Sequence, residues 1–551
     1  MSDSWKNKLF FGDNLEILRE RISAESVDLV YLDPPFNSAA NYNVLFREQS
    51  GEESAAQITA FEDTWHWTQE TEYAFRDLTQ NSTPRLVGLM ESIRASLGEN
   101  DMMAYLTVMG LRLVELHRVL KATGSLYLHC DATASHYLKV ILDSIFGGRN
   151  FINEVIWKRS AAHSDRAQGS KHYGRLHDVL LVYAKSAEYV WNQIYQKHTE
   201  EYIESHYPYT EPGTGRRYGL DNITGPGGAG KGNPSYEVMG VTRYWRYSRE
   251  RMQALIDAGR IVQPSPGSVP RYKRYLDESP GKPLQDIWDD IPPINSQAKE
   301  RLGYPTQKPE ALLERVINTS SNEGDLVLDP FCGCGTTVNV AERLHRRWIG
   351  IDITHLAIGL IRNRLRDTFG DELSPFEVIG EPKDVASAEA LANSGLDGRY
   401  QFQWWAVGLA GGRPAQDKKK GKDTGIDGFA FFYDDNSDKA KKIIFQVKSG
   451  NVKSGDIRDL KGVLEREKAA IGVFITLKPP TRDMIKEAIS AGVYESPLVQ
   501  GGKCPKLQIL TVEELLTGTN RLIYPEQGRA TFKRAERKSK VPEPEQKSFL
   551  S

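Results

Sequence analysis

The 551-residue sequence predicts an α/β fold in which a Rossmann-like parallel sheet is wrapped by helices, interrupted by an insertion and followed by a smaller α/β domain. Short apolar runs typical of buried strands, such as VDLVYL at 27–32, alternate with segments whose apolar residues recur at helical spacing. This alternation stops between about 160 and 300 and then resumes. A second α/β pattern follows, up to about residue 525.

The elements of the larger part follow in order. FFGDNLEILRERISAES predicts a helix, and VDLVYL follows it as a buried strand. The amphipathic segment YLTVMGLRLVELHRVLKA predicts a helix before the strand GSLYLHCD. After the insertion, EALLERVINTS predicts a helix, DLVLDPFCGCGTTVNVAERLHRRW a strand, a glycine turn and a helix, and WIGIDIT another strand.

These patterns divide the chain into six segments. The larger part consists of 1–160 and 301–370, separated by the insertion at 161–300. A polar linker is predicted for 371–398 and the second α/β domain for 399–525. The charged, proline-containing tail at 526–551 is expected to be disordered.

The composition limits the class of protein. Lys and Arg (71) nearly balance Asp and Glu (73), so any surface that binds nucleic acid must be a local patch. The four cysteines lack paired C-x-x-C spacing, which argues against a disulfide framework and a zinc site. The N-terminus lacks the apolar core of a signal peptide and no run of about 18 apolar residues occurs, so we expect a cytoplasmic protein without a membrane partner.

The glycine turn VLDPFCGCGTT lies between a predicted strand and a predicted helix. In that position, glycines let the backbone approach an adenosyl ligand closely. About fifteen residues later the next strand ends in Asp352, a carboxylate placed to accept hydrogen bonds from ribose hydroxyls. The turn and the acid together predict a nucleoside-containing cofactor.

Three motifs in one order resemble the amino-group DNA methyltransferases, in the permuted beta class where the catalytic motif precedes the cofactor motif. They are YLDPPFN, then YPTQKPEALLER, then LDPFCGCGTT, and the resemblance covers roughly residues 8 to 365. It implies S-adenosylmethionine as the methyl donor and duplex DNA as the substrate.

The resemblance implies that Asp33, Pro34, Pro35 and Phe36 are catalytic. The exocyclic amine of adenine or cytosine is a poor nucleophile because its lone pair is delocalised into the ring. Asp33 would accept one N–H and the carbonyl of Pro34 the other, which localises the lone pair as the transition state forms. Phe36 would offer an apolar face to a base that has left the duplex.

The resemblance also implies a set of cofactor-binding residues. Those expected to wrap the methionine moiety are Asp329, Phe331, Gly333 and Gly335, and Asp352 is expected on the ribose. Thr306, Gln307 and Lys308 are expected across the carboxylate end of the cofactor, and Asp13 near its adenine. Cys332 and Cys334 occupy variable positions of the turn and are expected to be small filler.

The first residue of the catalytic tetrapeptide bears on the target base. In the family, Asp at that position is associated with adenine N6, whereas Ser is seen more often with cytosine N4. Asp33 therefore favours adenine, and cytosine N4 remains the alternative.

The insertion has the composition of a target reader. Between 214 and 274 there are eleven basic residues and four acidic residues, interleaved with aromatic residues, which suits phosphate contacts and base stacking. The family keeps its target-recognition segment at this place, and we expect Arg243, Trp245, Arg246 and Arg249 to contact DNA.

The second domain resembles the Mrr-like PD-(D/E)xK restriction endonucleases. Asp427 precedes one predicted strand, and Gln446 and Lys448 lie on the next. Such a set can hold Mg²⁺ and orient water for phosphodiester hydrolysis, so Asp427 is the candidate metal ligand. The helix before it offers only Gln401 and Gln403 where the family has an acid, and an inactive DNA-binding relic is the alternative.

Together these features predict a site-specific adenine-N6 DNA methyltransferase that flips its target base, acts in restriction-modification or phage defence, and carries a nuclease-like domain. The partners implied are duplex DNA, a separate restriction or translocase subunit, and a second copy of the chain in a homodimer. A DNA-binding protein with an inactive nuclease-like domain is the rival from another class.

Overall fold

The computed structural model describes residues 5–35, 41–44, 58–62, 66–160, 173–174, 176–295, 298–302, 304, 306–394, 398–415, 425–433, 440–496, 503–525 and 535–538. The chain forms two compact units. One consists of the residues up to 192 and from 286 onward, and the other consists of residues 193–285.

A nine-stranded sheet dominates the first unit. In chain order its strands are β1 (Asn7–Phe11), β2 (Val27–Leu32), β3 (Leu120–Cys130), β4 (Phe151–Lys158), β5 (His177–Ala184), β6 (Ile287–Trp288), β7 (Leu326–Asp329), β8 (Arg347–Asp352) and β9 (Phe376–Ile379). The order across the sheet is β6-β4-β5-β3-β2-β7-β8-β1-β9. Only β5 is antiparallel to its neighbours, so the carboxyl ends of β2, β7, β8 and β1 meet at one edge.

Helices cover this sheet. They are Asn14–Arg21, Gln69–Asn81, Pro84–Leu97, Asp101–Val119, Ser135–Leu142, Glu310–Ser320, Thr336–Arg343 and His355–Phe369. The strand VDLVYL is buried at every position, because helices pack on both of its faces. The Rossmann-like fold and the elements expected from the sequence are confirmed, and a short hairpin of Asn41–Val44 and Ile58–Glu62 adds to them.

Two predicted boundaries are wrong. The insertion is narrower than 161–300, since β5 and β6, at its two ends, belong to the large sheet. The polar segment 371–398 is not only a linker, because β9 pairs with β1 at the edge of the sheet and the helix Val385–Ala392 packs into the core of the C-terminal domain. This edge strand is only four residues long, FEVI, and lies in a polar segment, so its apolar run is too short to be recognised from sequence.

The second unit has its own small core. A four-stranded sheet has the order Ile261–Val262, Arg271–Tyr275, Arg217–Asn222 and Tyr209–Thr210. Two further strand pairs, Ser235–Val238 with Val241–Tyr244 and Tyr195–Gln196 with Lys282–Pro283, and the helices Glu200–His206 and Arg249–Asp257 complete it. Its core residues are Ile223, Tyr236, Val238, Trp245, Met252 and Ile261.

Trp245 is therefore not a DNA contact, and that expectation is wrong. Its side chain is fully buried, and its indole Nε1–H donates to the carbonyl of Tyr236 at 2.8 Å. A buried, hydrogen-bonded indole cannot stack on a base. It anchors the hairpin that carries the exposed Arg243 and Tyr244.

The C-terminal domain lies in the first unit and is built on a five-stranded sheet of β10 (Arg413–Pro414), β11 (Gly428–Phe432), β12 (Lys441–Lys448), β13 (Ile471–Thr476) and β14 (Leu507–Thr511), in that order. The pairs that involve β11 are antiparallel and the later pairs are parallel. Its helices are Val385–Ala392, Gly398–Leu409, Ser454–Glu467, Arg482–Ser490 and Val512–Thr517, and a hairpin joins Val493–Glu495 with Lys503–Pro505.

Four residues of the tail, 535–538, are described and contact the methyltransferase-like part. Lys538 Nζ lies 2.7 Å from Glu310 Oε2, and the Lys538 N–H donates to the carbonyl of Thr368 at 3.0 Å. The other tail residues from 526 onward, for which disorder is predicted, lie outside the described residues. Within the described chain, no helix has the length and apolar character needed to cross a bilayer.

We expect Trp245→Ala to destabilise the second unit by about 3–5 kcal/mol, because it removes a large buried side chain and leaves a cavity. Hydrogen exchange measured peptide by peptide should show lost protection in 193–285 and unchanged protection in the large sheet. Trp245→Phe, which keeps most of the apolar volume, is the matched variant and should retain more protection. Weakened DNA binding with full protection in 193–285 would instead return Trp245 to the DNA interface.

Candidate active site

A cavity of about 310 Å³ opens at the edge where β1, β2, β7 and β8 end. Its size falls in the range of about 300–1,000 Å³ found for ligand pockets. The residues expected from sequence that line it are Asp13, Asp33, Pro35, Thr306, Lys308, Asp329, Phe331, Gly333 and Asp352. The cofactor motif and the catalytic motif, nearly three hundred residues apart, thus share one pocket.

The glycine turn between β7 and the helix Thr336–Arg343 forms one wall of the cavity. Gly333 and Gly335 have φ angles of 51° and 75°, in the left-handed region that favours glycine. A Cβ at Gly335 would lie 2.7 Å from Ile361, and one at Gly333 would lie 3.3 Å from the ring of Tyr304. The turn needs both glycines. Gly333 lines the cavity, whereas Gly335 supports the turn from behind.

Asp352 ties this turn to the end of β8. Its Oδ2 accepts the N–H of Gly333 at 2.9 Å, and its Oδ1 accepts the N–H and the hydroxyl of Thr354, both at 2.9 Å. Burial raises the pKa of Asp352 to about 6. The carboxylate is therefore fixed by the backbone while its remaining lone pairs face the cavity, as an acceptor for hydroxyl groups requires.

Asp329 ends β7 and is more deeply buried. Its Oδ1 accepts the N–H of Phe331 at 3.0 Å, which shapes the start of the turn. Burial raises the pKa of Asp329 to about 7, and the neighbouring charges of Asp33 and Asp352 act in the same direction. Asp33, Asp329 and Asp352 therefore converge on one cavity, which Asp13 also lines.

Asp33 follows β2 directly and contacts Lys308 through Oδ2. Both side chains are mostly buried, with 15% of the Asp33 side chain and 12% of the Lys308 side chain exposed. Pro34 is buried behind them and Pro35 lines the cavity. Phe36, the last residue of the tetrapeptide, lies outside the described residues.

Gln307 does not lie at the cavity, although the sequence predicts that it binds the cofactor. Its Nε2–H donates to the carbonyl of Glu300 at 2.6 Å and its Oε1 accepts the N–H of Leu302 at 2.8 Å. Both ends of the amide are thus used within its own loop, and Gln307 does not line the cavity. It holds the loop that presents Thr306 and Lys308.

Arg112 is a cavity residue that the sequence patterns did not indicate. It lies on the helix Asp101–Val119, and its guanidinium bonds Asp13 Oδ2 at 2.9 Å and Asn14 Oδ1 at 2.5 Å. It is buried, although it stands in an otherwise apolar stretch, MGLRLVEL. A lone arginine at a buried helical position is the signal that could have identified it.

Tyr31 and Tyr304 also line the cavity without having been expected there. Tyr31 stands two residues before Asp33, and its hydroxyl lies 2.9 Å from Nδ1 of His129. Burial raises the pKa of both tyrosines well above the ordinary value. Both therefore present neutral hydroxyls.

Some basic residues of the second unit form ion pairs with acidic residues of the same unit. Arg216 and Arg260 pair with Glu278, Arg216 also pairs with Asp277, and Lys273 pairs with Glu211. The unit has thirteen basic and ten acidic residues, so its net charge is +3. Arg243, Arg246 and Arg249 are exposed and, among the described residues, have no ion-pair partner.

The C-terminal domain brings the expected residues together. The N–H of Val447 donates to Asp427 Oδ2 at 2.7 Å, which places Asp427 beside Gln446. The Oε1 of the buried Gln446 makes no hydrogen bond within the described chain. No group of three or more His, Cys, Asp or Glu side chains arranged for a metal occurs there. The described residues around Asp427 therefore show no cluster of ligands of the kind that Mg²⁺ prefers.

Two family models match the chain. The model for N6_N4 DNA methylases matches residues 27–362, more than half of the chain. The model for a NACHT-associated inactive restriction endonuclease matches residues 403–517, within the five-stranded domain.

Curated relatives match the same larger part. The type II methyltransferase M.EcaI of Enterobacter cloacae is 28% identical, over 65% of this chain and 69% of its own length. The Mod subunit of the type III restriction-modification enzyme StyLTI of Salmonella typhimurium is 27% identical, over 62% of this chain and half of its own length. The DNA adenine methyltransferase YhdJ of Escherichia coli is 26% identical, over 64% and 81% respectively.

Solved structures match weakly. The cytosine-N4-specific PvuII DNA methyltransferase is 12% identical, covers 65% of this chain and 85% of its own, and has a TM-score of 0.30. The complex of M1.HpyAVI with S-adenosylmethionine is 14% identical, covers 65% and 99%, and has a TM-score of 0.28. Scores this low carry no argument about function.

The family match extends across the catalytic strand, the glycine turn and the cavity between them. The chain belongs to the N6_N4 family of DNA methylases, whose cofactor is S-adenosylmethionine.

Proposed function

We propose that the chain transfers a methyl group from S-adenosylmethionine to the N6 amine of adenine in duplex DNA at a specific sequence. The observation that carries this proposal is the position of Asp33, at the end of β2 and inside the same cavity as the glycine turn. YhdJ, named an adenine methyltransferase, supports adenine, as does Asp at the first position of the tetrapeptide. Cytosine N4 stays the alternative within the family.

Bound S-adenosylmethionine supplies an activated methyl group. Asp352 would accept hydrogen bonds from the ribose, and the turn from Asp329 to Gly333 would enclose the methionine end. Asp13 is fixed by Arg112 near the other end. Lys308 contacts Asp33, and it would hold that carboxylate toward the space where the amine of the target base enters.

The target base has to leave the duplex, because the reacting atom of a base that stays stacked cannot enter an active-site cavity. We propose that the second unit reads the sequence around it and that its exposed arginines contact phosphates. Arg243, Arg246 and Arg249 are the candidates for these phosphate contacts. Arg216 and Arg260 instead form ion pairs within the unit.

The C-terminal domain, in this proposal, does not cut DNA. The helix before Asp427 offers only Gln401 and Gln403 where the family has an acid, and the described residues contain no group of three or more metal-binding side chains. The description of the matching family as inactive supports this interpretation. The expectation of magnesium at Asp427 is therefore replaced by a non-catalytic role, in which the domain binds DNA or a partner protein.

We further propose a cytoplasmic protein that acts within restriction-modification or phage defence. The StyLTI relative is named as the Mod subunit of a type III enzyme, which supports a separate restriction or translocase subunit as a partner. A homodimer is a further proposal, tested by light scattering of the purified chain.

The substitution Asp33→Asn should slow single-turnover methyl transfer by about 10³-fold, because the acceptor that stabilises the transition state is removed. Calorimetry should show nearly unchanged affinity for S-adenosylmethionine. Asp77→Asn, a partly exposed carboxylate paired with Arg19, is the control and should transfer at the wild-type rate. Loss of cofactor affinity with an unchanged rate per bound complex would contradict the role of Asp33.

Replacing Arg243 and Arg246 by glutamine should reduce the slope of log affinity for DNA against log salt by about one for each phosphate that the protein no longer neutralises. The matched pair is Arg216 and Arg260, whose charges are engaged with Glu278, and their replacement should change the slope less. Equal slopes for both double variants would show that this hairpin is not the part of the second unit that contacts DNA phosphates.

Incubation of the wild-type chain with Mg²⁺ and unmethylated DNA should leave the DNA uncut, because the matching family is described as inactive and the described residues contain no group of three or more metal-binding side chains. Asp427→Ala should methylate DNA at the wild-type rate. Magnesium-dependent cleavage that is present in the wild type and absent from Asp427→Ala would restore the nuclease assignment.

A further inference from the structure

A chain of buried polar side chains leads from the active-site cavity into the sheet. The Tyr31 hydroxyl lies 2.9 Å from His129 Nδ1, and His129 Nε2 lies 3.2 Å from Asp178 Oδ2. Arg159 Nε lies 3.0 Å from Asp178 Oδ1. Tyr31, His129 and Asp178 are each no more than 3% exposed, so this chain lies away from water.

The fold places these residues on adjacent strands. Tyr31 lies near the end of β2 and Asp33 directly follows that strand, and both residues line the cavity. His129 lies on β3, next to β2, and Asp178 begins β5, which runs antiparallel to β3. The start of β5 therefore lies at the edge where β2 and β3 end, beside the catalytic cavity.

The ionisation of Asp178 fixes the direction of the hydrogen bonds. Burial acts to raise the pKa of Asp178, but the hydrogen bond from His129, the charge of that ring when it is protonated, and the charges of Lys308 and Arg159 lower it below its ordinary value. A carboxylate only accepts, so the hydrogen of a neutral His129 is on Nε2. Nδ1 then accepts the hydrogen of the Tyr31 hydroxyl, as in a catalytic triad where a carboxylate sets the tautomer of a histidine.

Methylation of an exocyclic amine needs a proton acceptor. One N–H hydrogen of the amine is replaced by the methyl carbon, so one proton leaves the nitrogen for each N–C bond that forms and each S–C bond that breaks. Asp33 is assigned to hold the amine, and Tyr31 opens onto the same cavity.

We propose that Tyr31, His129 and Asp178 form a proton relay that takes up the proton released by the methylated amine. This inference rests on the proposed function of the cavity. The Tyr31 oxygen accepts the proton while its own hydrogen passes to Nδ1 of His129. The resulting imidazolium is paired with the Asp178 carboxylate, which Arg159 holds in place, and the proton returns to solvent after the product leaves.

The charged and titratable groups around His129 enter any pH dependence. The groups whose charges act on Tyr31, Cys130 or Asp178 in this neighbourhood are Asp33, Asp131, Glu154, Arg159, Lys308 and Asp329. A relay through these residues predicts that the dependence of the single-turnover rate on pH differs between the wild type and Asp178→Asn.

The test compares Tyr31→Phe and Asp178→Asn with the control Tyr127→Phe. Tyr127 lies on β3, and its buried hydroxyl bonds Ser320 at 2.8 Å, so its removal costs a similar hydrogen bond outside the relay. Each relay variant should slow single-turnover methyl transfer by about 10²-fold and change the dependence of that rate on pH. The double variant should be no slower than either single variant, because the residues act as one unit.

A second readout does not depend on methyl transfer. Nitrogen-15 chemical shifts of His129 should report a ring hydrogen on Nε2, the nitrogen that faces Asp178, in the wild type and a changed tautomer balance in Asp178→Asn. A ring charged at both nitrogens would overturn the relay, since it could not accept a proton.

The outcomes separate the two proposals. Transfer in Tyr31→Phe as fast as in Tyr127→Phe, or relay effects that add in the double variant, would overturn the relay alone. Absence of methyl transfer by the wild type on any DNA would overturn the proposed function, and the proton relay with it.

Discussion

The convergence of three carboxylates at neighbouring strand ends is the constraint on which the site depends. Asp33, Asp329 and Asp352 end β2, β7 and β8 and face one cavity. Like charges in a buried space repel and are poorly solvated, so each needs compensation. The compensation is visible in the contact of Lys308 with Asp33 and in the backbone N–H groups that donate to Asp329 and Asp352. The glycine turn therefore has an electrostatic role, through the N–H groups that it donates to the carboxylates, as well as a steric one.

This constraint links the cofactor half and the catalytic half of the cavity. Lys308 precedes the helix Glu310–Ser320, whose first residue is held by Arg364 at 3.0 Å and by Lys538 of the tail at 2.7 Å. The same loop thus orients the catalytic carboxylate and is tied down by the helix His355–Phe369 and by the C-terminal tail. A substitution in the tail that breaks its contact with Glu310 therefore acts on the loop that contacts Asp33.

Much of the fold could be predicted because buried parallel strands are nearly continuous apolar runs. VDLVYL and the strands next to it show this pattern clearly, and the two motifs mark the ends of β2 and β7. β9 escaped prediction because it has only four residues, FEVI, within a polar segment, which is too short an apolar run to be distinctive. The limits of the second unit were missed because β5 lies after a segment of mixed polarity, before the unit begins.

The site was predictable as far as residues carry motifs. Gln307 and Trp245 have residue types that suit ligands, but their partners are the backbone of Glu300 and Leu302 and of Tyr236, which no local pattern specifies. Arg112, His129 and Asp178 escaped for the opposite reason, since they stand within apolar segments and meet the cavity only through pairings across the fold. Long-range contacts decide their roles.

The most direct measurement of the central claim is to incubate the purified chain with methyl-labelled S-adenosylmethionine and mixed-sequence duplex DNA, without Mg²⁺, and to identify the labelled nucleoside by mass. Label in N6-methyladenine is the expected result, and it should vanish in Asp33→Asn. Label in N4-methylcytosine would contradict the assignment of the base while keeping the cofactor and the cavity. Label in neither base would contradict the account as a whole.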